Sequence, residues 1–287
     1  MAVQSDSSGT AGYSLFAGQP RGLSTLFFAE LWERFSYYGM RALLTLFIVA
    51  PLTTGGLGLT TVEAARIYGN YTMAVYLLAI PGGYIADRYL GAHFAVLIGG
   101  AIIALGHFTL AVPAETSFYV GLGLVAVGTG LFKPNISAMV GGLYAPGDER
   151  RDAGFSIFYM GINVGGFLAP LVTGFLAQSD TFKNWLSANG FDPADSWHWG
   201  FAAAGVGMTL GLIAYLMQAK RLEHVGRAPA EAAGSWGTSI LVIAGTIGVL
   251  GLTVLSDDPR FHWLRAAFIV IPVAAIVWYA MRGDIDG

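Results

Sequence analysis

An apolar stretch near residues 23–50 contains a cluster of ionisable and aromatic side chains whose types and spacing could serve proton transfer or the binding of a charged solute. Six of them recur at i, i+3, i+4, i+7, i+8 and i+11 and so share one helix face: Glu30, Glu33, Arg34, Tyr37, Tyr38 and Arg41. A charge near the centre of a membrane-spanning helix costs about 2.5–3.5 kcal/mol. This face must therefore line a protein interior or a water-filled cavity.

A purely structural explanation of the cluster is an ion pair between Glu30 and Arg34, which lie at i and i+4. Such a pair leaves the second glutamate, Glu33, and the two adjacent tyrosines without a role. Intramembrane charges on one face are typical of solute and proton sites. We therefore favour a functional site over a structural ion pair.

A second intramembrane charge, Lys133, interrupts the fourth apolar segment. Thr129, Lys133 and Ser137 share a helix face, and Pro134 removes a backbone hydrogen bond beside the lysine. The functional interpretation is an ammonium group on the wall of a cavity. The structural alternative is an ion pair between Lys133 and a carboxylate on a neighbouring helix.

Weaker polar features lie on the second and fifth apolar segments. Tyr68, Thr72 and Tyr76 recur at i, i+4 and i+8, a pattern that packing alone often explains. On the fifth segment Tyr159 and Asn163 share a face. We expect Asn163 to be a buried amide that requires hydrogen-bond partners, and a substrate backbone could be one of them.

Glycines predict where helices approach each other closely. The spacing of Gly161 and Gly165 favours helix packing on the fifth segment. The turn at 82–88 begins with two glycines and ends with Asp87 and Arg88. For this charged pair we expect a role in conformational gating rather than in solute binding.

Composition independently indicates a membrane protein. Of the 287 residues, 55% are hydrophobic and only 11% are charged, against roughly 25% charged residues in soluble domains. A net charge of −3 gives no indication of a nucleic-acid partner. The absence of cysteine excludes disulfides and thiolate metal sites, and no nucleophile set or metal-ligand spacing indicates an enzyme.

The apolar segments predict an all-α transmembrane protein with short connections. They fall near 23–50, 63–84, 93–112, 117–141, 154–177, 199–219, 236–255 and 262–281. We predict a flexible cytoplasmic tail (1–22), a six-helix bundle (23–219), a cytoplasmic linker (220–235) and a pair of further helices (236–282). Lys and Arg are more frequent in the connections that this topology places inside, which favours a cytoplasmic amino terminus.

Four motifs resemble signatures of the proton-dependent oligopeptide transporter family of the major facilitator superfamily. The segment 30–39, EXXERFXYYG in pattern, matches that family's first-helix signature, and Lys133 lies where the family has a fourth-helix lysine. The segments 82–87 and 158–165 match its two other signatures. The resemblance implies a six-helix amino-terminal bundle of the major facilitator type, followed by the two extra helices of bacterial members.

The resemblance also implies roles for individual residues in proton-coupled symport of di- and tripeptides. Glu30 and Glu33 would take part in proton coupling. Contacts with the peptide carboxylate would come from Arg34 and Lys133, and Arg41 would act at an outer gate. The remaining pocket residues would be Tyr37, Tyr38, Tyr76 and Asn163.

Further expectations follow from the same resemblance. The protein would be an integral multi-pass protein of the bacterial plasma membrane, in contact with lipid and small peptides, and would need no cofactor other than protons. Family members have a second six-helix half, which this sequence does not contain, so we expect the chain to supply one half of the central cavity.

Two alternatives remain open at this stage. One is a transporter of nitrate or another small anion, since an arginine and a lysine suit any anion. The other is a non-transporting membrane module that senses a ligand or scaffolds a partner.

Overall fold

The structure, a computed structural model, describes residues 15–222 and 225–227, and every regular element in this part of the chain is helical. The helices are α1 (Gly22–Val49), α2 (Thr61–Ile85), α3 (Gly91–Leu110), α4 (Glu115–Gly142), α5 (Arg150–Gln178), α6 (Asp180–Ala188) and α7 (Ser196–Met217). The prediction of an all-α transmembrane fold is confirmed. The helices predicted at 236–282, most of the linker and residues 1–14 of the tail lie outside the described residues.

By length and composition, four segments of the described chain can cross a membrane. They are Thr61–Leu110, which contains both α2 and α3, Glu115–Gly142, Arg150–Gln178 and Pro193–Met217. Helix α1 has 28 residues, a length of about 42 Å at 1.5 Å per residue. Its length is sufficient to span a bilayer, but its cluster of charges lowers its apolar character.

Local sequence explains where several helices begin and end. Thr60 and Glu63 form a capping box at the start of α2, in which each side chain is hydrogen-bonded to the other residue's backbone N–H. A π-helical turn, Ala86–Leu90, joins α2 to α3 and is followed by Gly91 at a φ of 74°, which glycine adopts without strain. The Ser179 side chain caps the short helix α6.

Close approach between α3 and α4 depends on facing glycines. Gly99 and Gly128 are so close that a methyl group on either would lie within 2.7 Å of the other's carbonyl oxygen. Asn135 of α4 reaches across to α2, where its side-chain amide donates to the Gly82 carbonyl oxygen at 3.3 Å. Small residues at these contacts let helix backbones approach in the way typical of membrane proteins.

Helix α1 is enclosed by α5 and α7. On α5, Gly165 faces the backbone of α1 with no room for a side chain, which confirms the predicted packing role of that glycine. On α7, Gly207 and Gly211 make room for the rings of Phe35 and Trp32. Helix α1 thus packs closely against α5 and α7, and its charged residues Glu30, Glu33 and Arg34 are buried.

Candidate functional site

The centre of the site is a buried cluster of two glutamates and one arginine on α1, which we call the glutamate cluster: Glu30, Glu33 and Arg34. Their exposed fractions are 2%, 0% and 3%. The Arg34 Nε lies 3.1 Å from a Glu30 carboxylate oxygen and also donates a hydrogen bond to Glu33. The ion pair between Glu30 and Arg34, which the structural alternative requires, is therefore present, but the second glutamate shares the same guanidinium.

Several polar atoms of the glutamate cluster have no hydrogen-bond partner among residues 15–222 and 225–227. They are Glu30 Oε2, Glu33 Oε1 and Arg34 Nη2. One guanidinium therefore faces two carboxylates, and each carboxylate retains a free oxygen. A buried polar atom without a partner carries a cost of about 1–3 kcal/mol, so this arrangement is poised to accept a proton or a further ligand.

Aromatic rings surround the two arginines of α1. The Arg34 guanidinium carbon lies 5.0 Å from the centre of the Tyr37 ring and 6.0 Å from that of Tyr38. Arg41 approaches the Tyr37 ring as well, at 5.9 Å. Tyr37 is therefore shared by two guanidinium groups, and cation–π attraction holds both near one ring.

The side chain that holds Arg41 comes from α2. The Arg41 Nε donates a hydrogen bond to the Tyr68 hydroxyl, and its guanidinium carbon lies 5.1 Å from the centre of that ring. The sequence pattern gave Tyr68 only a weak signal, as part of a tyrosine stripe. The signal that could have identified it is the need of an intramembrane arginine for a polar partner.

A second group of site residues is more accessible, and we call it the exposed wall: Tyr76, Lys133 and Asn163. The Lys133 ammonium is half-buried and lies 5.2 Å from the centre of the Tyr76 ring, which is itself 62% exposed. That Lys133 places its ammonium on a cavity wall stays a prediction. Lys133 also acts electrostatically on Glu30, which connects the exposed wall to the glutamate cluster.

The prediction of a buried amide at Asn163 is wrong. Asn163 is exposed, as is Tyr159 one turn earlier on α5. The reason is that α5 turns its glycines, rather than its polar side chains, toward α1. Gly166 lies against the ring of Tyr38, so the face of α5 that carries Asn163 borders the tyrosines of α1.

The residues assigned to gating lie at opposite ends of the bundle. Arg41 and Tyr68 are close to the turn between α1 and α2. Asp87 and Arg88 occupy the π-helical turn at the other end of α2, where Arg88 lies 5.8 Å from the centre of the Tyr84 ring and Asp87 is exposed. The structure thus separates these charged groups along the length of α2.

Comparison with known proteins gives matches to one family. The sequence profile of the POT family matches residues 93–273. A peptide transporter of Yersinia enterocolitica, YePEPT, is 40% identical over an aligned length of 288 residues. The alignment covers 94% of this chain and 53% of the relative. A di-/tripeptide transporter of Lactococcus lactis is 44% identical over 272 residues, covering 91% and 51% respectively.

Solved structures give the same result. A peptide transporter POT in complex with sulfate superposes with a TM-score of 0.72 at 38% identity, covering 94% of this chain and 54% of the other. A POT family transporter in complex with a thioalcohol-conjugated peptide superposes with a TM-score of 0.73 at 37% identity, covering 92% of this chain and 53% of the other. The chain thus spans about half the length of the relatives it matches. Because the family profile covers more than half of this sequence, the chain belongs to the POT family.

Proposed function

We propose that the chain forms one wall of a membrane cavity in which a di- or tripeptide is bound and carried together with a proton. The observation that carries this proposal is the glutamate cluster, in which one buried guanidinium is shared by two carboxylates, each with an unpartnered oxygen. The named relatives in Yersinia and Lactococcus are peptide transporters, which supports the same substrate class. No catalytic step is assigned to the chain.

Coupling follows from competition for Arg34. A peptide carboxylate that takes the guanidinium leaves Glu30 or Glu33 buried without its cation. An isolated buried carboxylate is strongly disfavoured, so it binds a proton and becomes neutral. Proton binding in turn frees Arg34 for the peptide. The proton and the peptide therefore raise each other's affinity by the same factor, as thermodynamic linkage requires.

The exposed wall supplies the first contacts with the substrate. Lys133 attracts the peptide carboxylate from a half-buried position, where its charge is screened less than in bulk water. Tyr76 and Asn163, both exposed, offer a ring face and an amide to the peptide backbone. Tyr37 and Tyr38 then line the path from the exposed wall to Arg34.

A second wall completes the cavity in this proposal. Alternating access requires two helical units that rock about a site near the middle of the membrane. The peptide amine needs a carboxylate, but in this mechanism each carboxylate of the glutamate cluster is either engaged by Arg34 or neutralised by the coupling proton. We propose that a second six-helix unit supplies this group, in a bacterial plasma membrane and with the amino terminus in the cytoplasm. Protons are the only coupling ion.

The test is reconstitution with and without a second unit. Residues 1–287 alone, and a fusion of this chain to the remaining half of YePEPT, are placed in liposomes with an inward proton gradient. The fusion should accumulate a labelled dipeptide, and the chain alone should not. Unlabelled dipeptide should abolish the signal, whereas excess nitrate should leave it intact.

Two outcomes contradict the proposal. Competition by nitrate equal to that by dipeptide favours the anion-transporter alternative. Dipeptide binding by the fusion without any accumulation favours the non-transporting sensor or scaffold.

A further inference from the structure

Tyr71 on α2 is a buried tyrosine to which the proposed mechanism gives no role. Its exposed fraction is 5%, yet its hydroxyl has no hydrogen-bond partner within residues 15–222 and 225–227. Buried tyrosine hydroxyls normally find a partner, because the phenol otherwise loses its hydration without compensation. A phenylalanine would fill the same space without this cost.

The position of Tyr71 connects two parts of the site. Its ring stacks on Tyr37, with ring centres 6.5 Å apart and planes inclined by 29°. It also lies within electrostatic range of the Glu33 carboxylate and of the guanidinium groups of Arg34 and Arg41. Glu33 Oε1, like the Tyr71 hydroxyl, is a buried oxygen without a partner in the described part of the chain.

Residue spacing on α1 and α2 sets the order of these groups along the length of the bundle. Tyr68, which accepts the hydrogen bond from Arg41, precedes Tyr71 by about one turn of α2 and is half-buried. Tyr71 is therefore deeper in the bundle than the Arg41–Tyr68 pair. Glu33 lies two turns before Arg41 on α1, deeper still. The phenol of Tyr71 thus occupies the interval between the end of the bundle at the α1–α2 turn and the buried carboxylate.

We propose that Tyr71 is a relay residue that passes protons to Glu33 from the end of the bundle where α1 meets α2. This inference rests on the proposed function, and it assigns the route by which the coupling proton arrives. A phenol can donate one hydrogen bond while accepting another, whereas a guanidinium only donates. One water between the Tyr71 hydroxyl and Glu33 Oε1 satisfies both oxygens and completes the connection.

The transfer conserves atoms and charge. A hydronium ion on the side of Arg41 and Tyr68 gives its proton to the Tyr71 oxygen as the phenol releases its own proton to the bridging water. That water passes a proton to Glu33 Oε1, and the carboxylate becomes a neutral carboxylic acid. Tyr71 is neutral before and after the step, and water is what remains of the hydronium ion.

The first test uses the fusion with the remaining half of YePEPT and the substitution Tyr71→Phe, which removes only the hydroxyl. Proton-driven accumulation of dipeptide should fall by about tenfold or more, since a positioned proton-transfer group is typically worth 10²–10⁴. Counterflow exchange, which requires no net proton transfer, should be unchanged. Tyr119→Phe, which makes the same change at an exposed residue of α4, is the matched control and should alter neither.

Three results separate the possibilities. Equal accumulation by Tyr71→Phe and the unsubstituted fusion overturns the relay. Parallel losses of accumulation and counterflow indicate a packing role and also overturn it. No accumulation by the unsubstituted fusion contradicts the proposed function instead, and the relay is then decided by spectroscopy.

Infrared difference spectroscopy in lipid nanodiscs requires no transport. The carbonyl band of protonated Glu33 is identified by its loss in Glu33→Gln. If the relay exists, this band moves to higher wavenumber in Tyr71→Phe, because the acid loses a hydrogen-bonded connection, and it keeps its position in Tyr119→Phe. An unmoved band in Tyr71→Phe overturns the inference.

Discussion

The glutamate cluster and the exposed wall both place charged side chains within the bundle, but they differ in burial and in the partners of those charges. In the glutamate cluster an arginine and two carboxylates are almost fully buried and bonded to each other. On the exposed wall Lys133 is half-buried and rests against an aromatic ring rather than a carboxylate. The comparison indicates that the first region compensates charge internally, while the second offers charge to a ligand.

Packing explains the difference. The turn of α1 that carries the cluster is enclosed because α5 and α7 present glycines to it, at Gly165 and Gly207 among others. Water is excluded there, so each charge needs an internal partner. Tyr76 and Asn163 have no comparable helix against them within the described residues, and both are exposed.

The largest expected effect is the loss of stability on removing the Arg34 cation, compared with removal of the Lys133 cation on the exposed wall. Arg34→Met should lower the free energy of unfolding by about 3–5 kcal/mol, because it leaves two carboxylates buried without their partner. Lys133→Met should change it by about 0.5 kcal/mol or less, as is usual for substitutions outside the core. Denaturant titration in mixed micelles, followed by circular dichroism, measures both.

A charge-conserving variant sharpens the same comparison. Arg34→Lys keeps the positive charge but not the planar fork that binds a carboxylate in two places. It should therefore retain most of the stability lost in Arg34→Met while the fusion loses its affinity for dipeptide, measured by calorimetry. Equal losses of stability at positions 34 and 133 would show that the two regions do not differ in charge compensation.

The next effect separates proton coupling from substrate binding. In the fusion, Glu33→Gln should abolish proton-driven accumulation and spare counterflow, because the amide keeps the shape of the side chain but cannot carry the proton. Asn163→Ala, a change on the exposed wall, should weaken dipeptide binding and leave the coupling ratio intact. Accumulation by the doubly substituted Glu30→Gln, Glu33→Gln fusion under a pH gradient would disprove the assignment of the glutamates.

Sequence reasoning predicted the charged helix face well because its cause is local. Charges on one side of an apolar helix must turn inward, and Glu30, Glu33 and Arg34 do so. The prediction that Asn163 is buried was wrong. Helix α5 turns the face with Gly165 toward α1, and this leaves Asn163 exposed. Tyr68 and Tyr71, which contact residues of α1, belong to α2. Helical periodicity in the sequence shows which residues share a face, but not which helices are neighbours.

A smaller effect tests the packing that encloses the cluster. Gly165→Ala adds a methyl group that collides with the backbone of α1, so it should destabilise the protein by about 1–3 kcal/mol, as overpacking usually does. Gly174→Ala, on the same helix, has open space at the added methyl group. It should be neutral or stabilise by up to about 1 kcal/mol through helix propensity. Thermal unfolding measures the two variants side by side, and equal effects would refute the enclosure of α1 by α5.

The smallest effect is expected at an ion pair in water, which extends the comparison to a third environment. At the start of α5, the Arg150 guanidinium donates two hydrogen bonds to Asp148, at 3.0 and 2.7 Å, and its backbone N–H donates a third. These bonds lower the pKa of that carboxyl from 3.8 to about 2. Because the folded pKa is the lower one, the stabilisation is present above pH 4 and is lost as pH falls through 2. Asp148→Asn should therefore reduce the melting temperature slightly at neutral pH, by less near pH 2, and not at all once the pH is well below 2. Unlike any loss at Arg34, this difference should shrink when salt is added, since water and ions screen an exposed pair. A salt-independent loss at Asp148 would mean that burial does not distinguish this pair from the glutamate cluster.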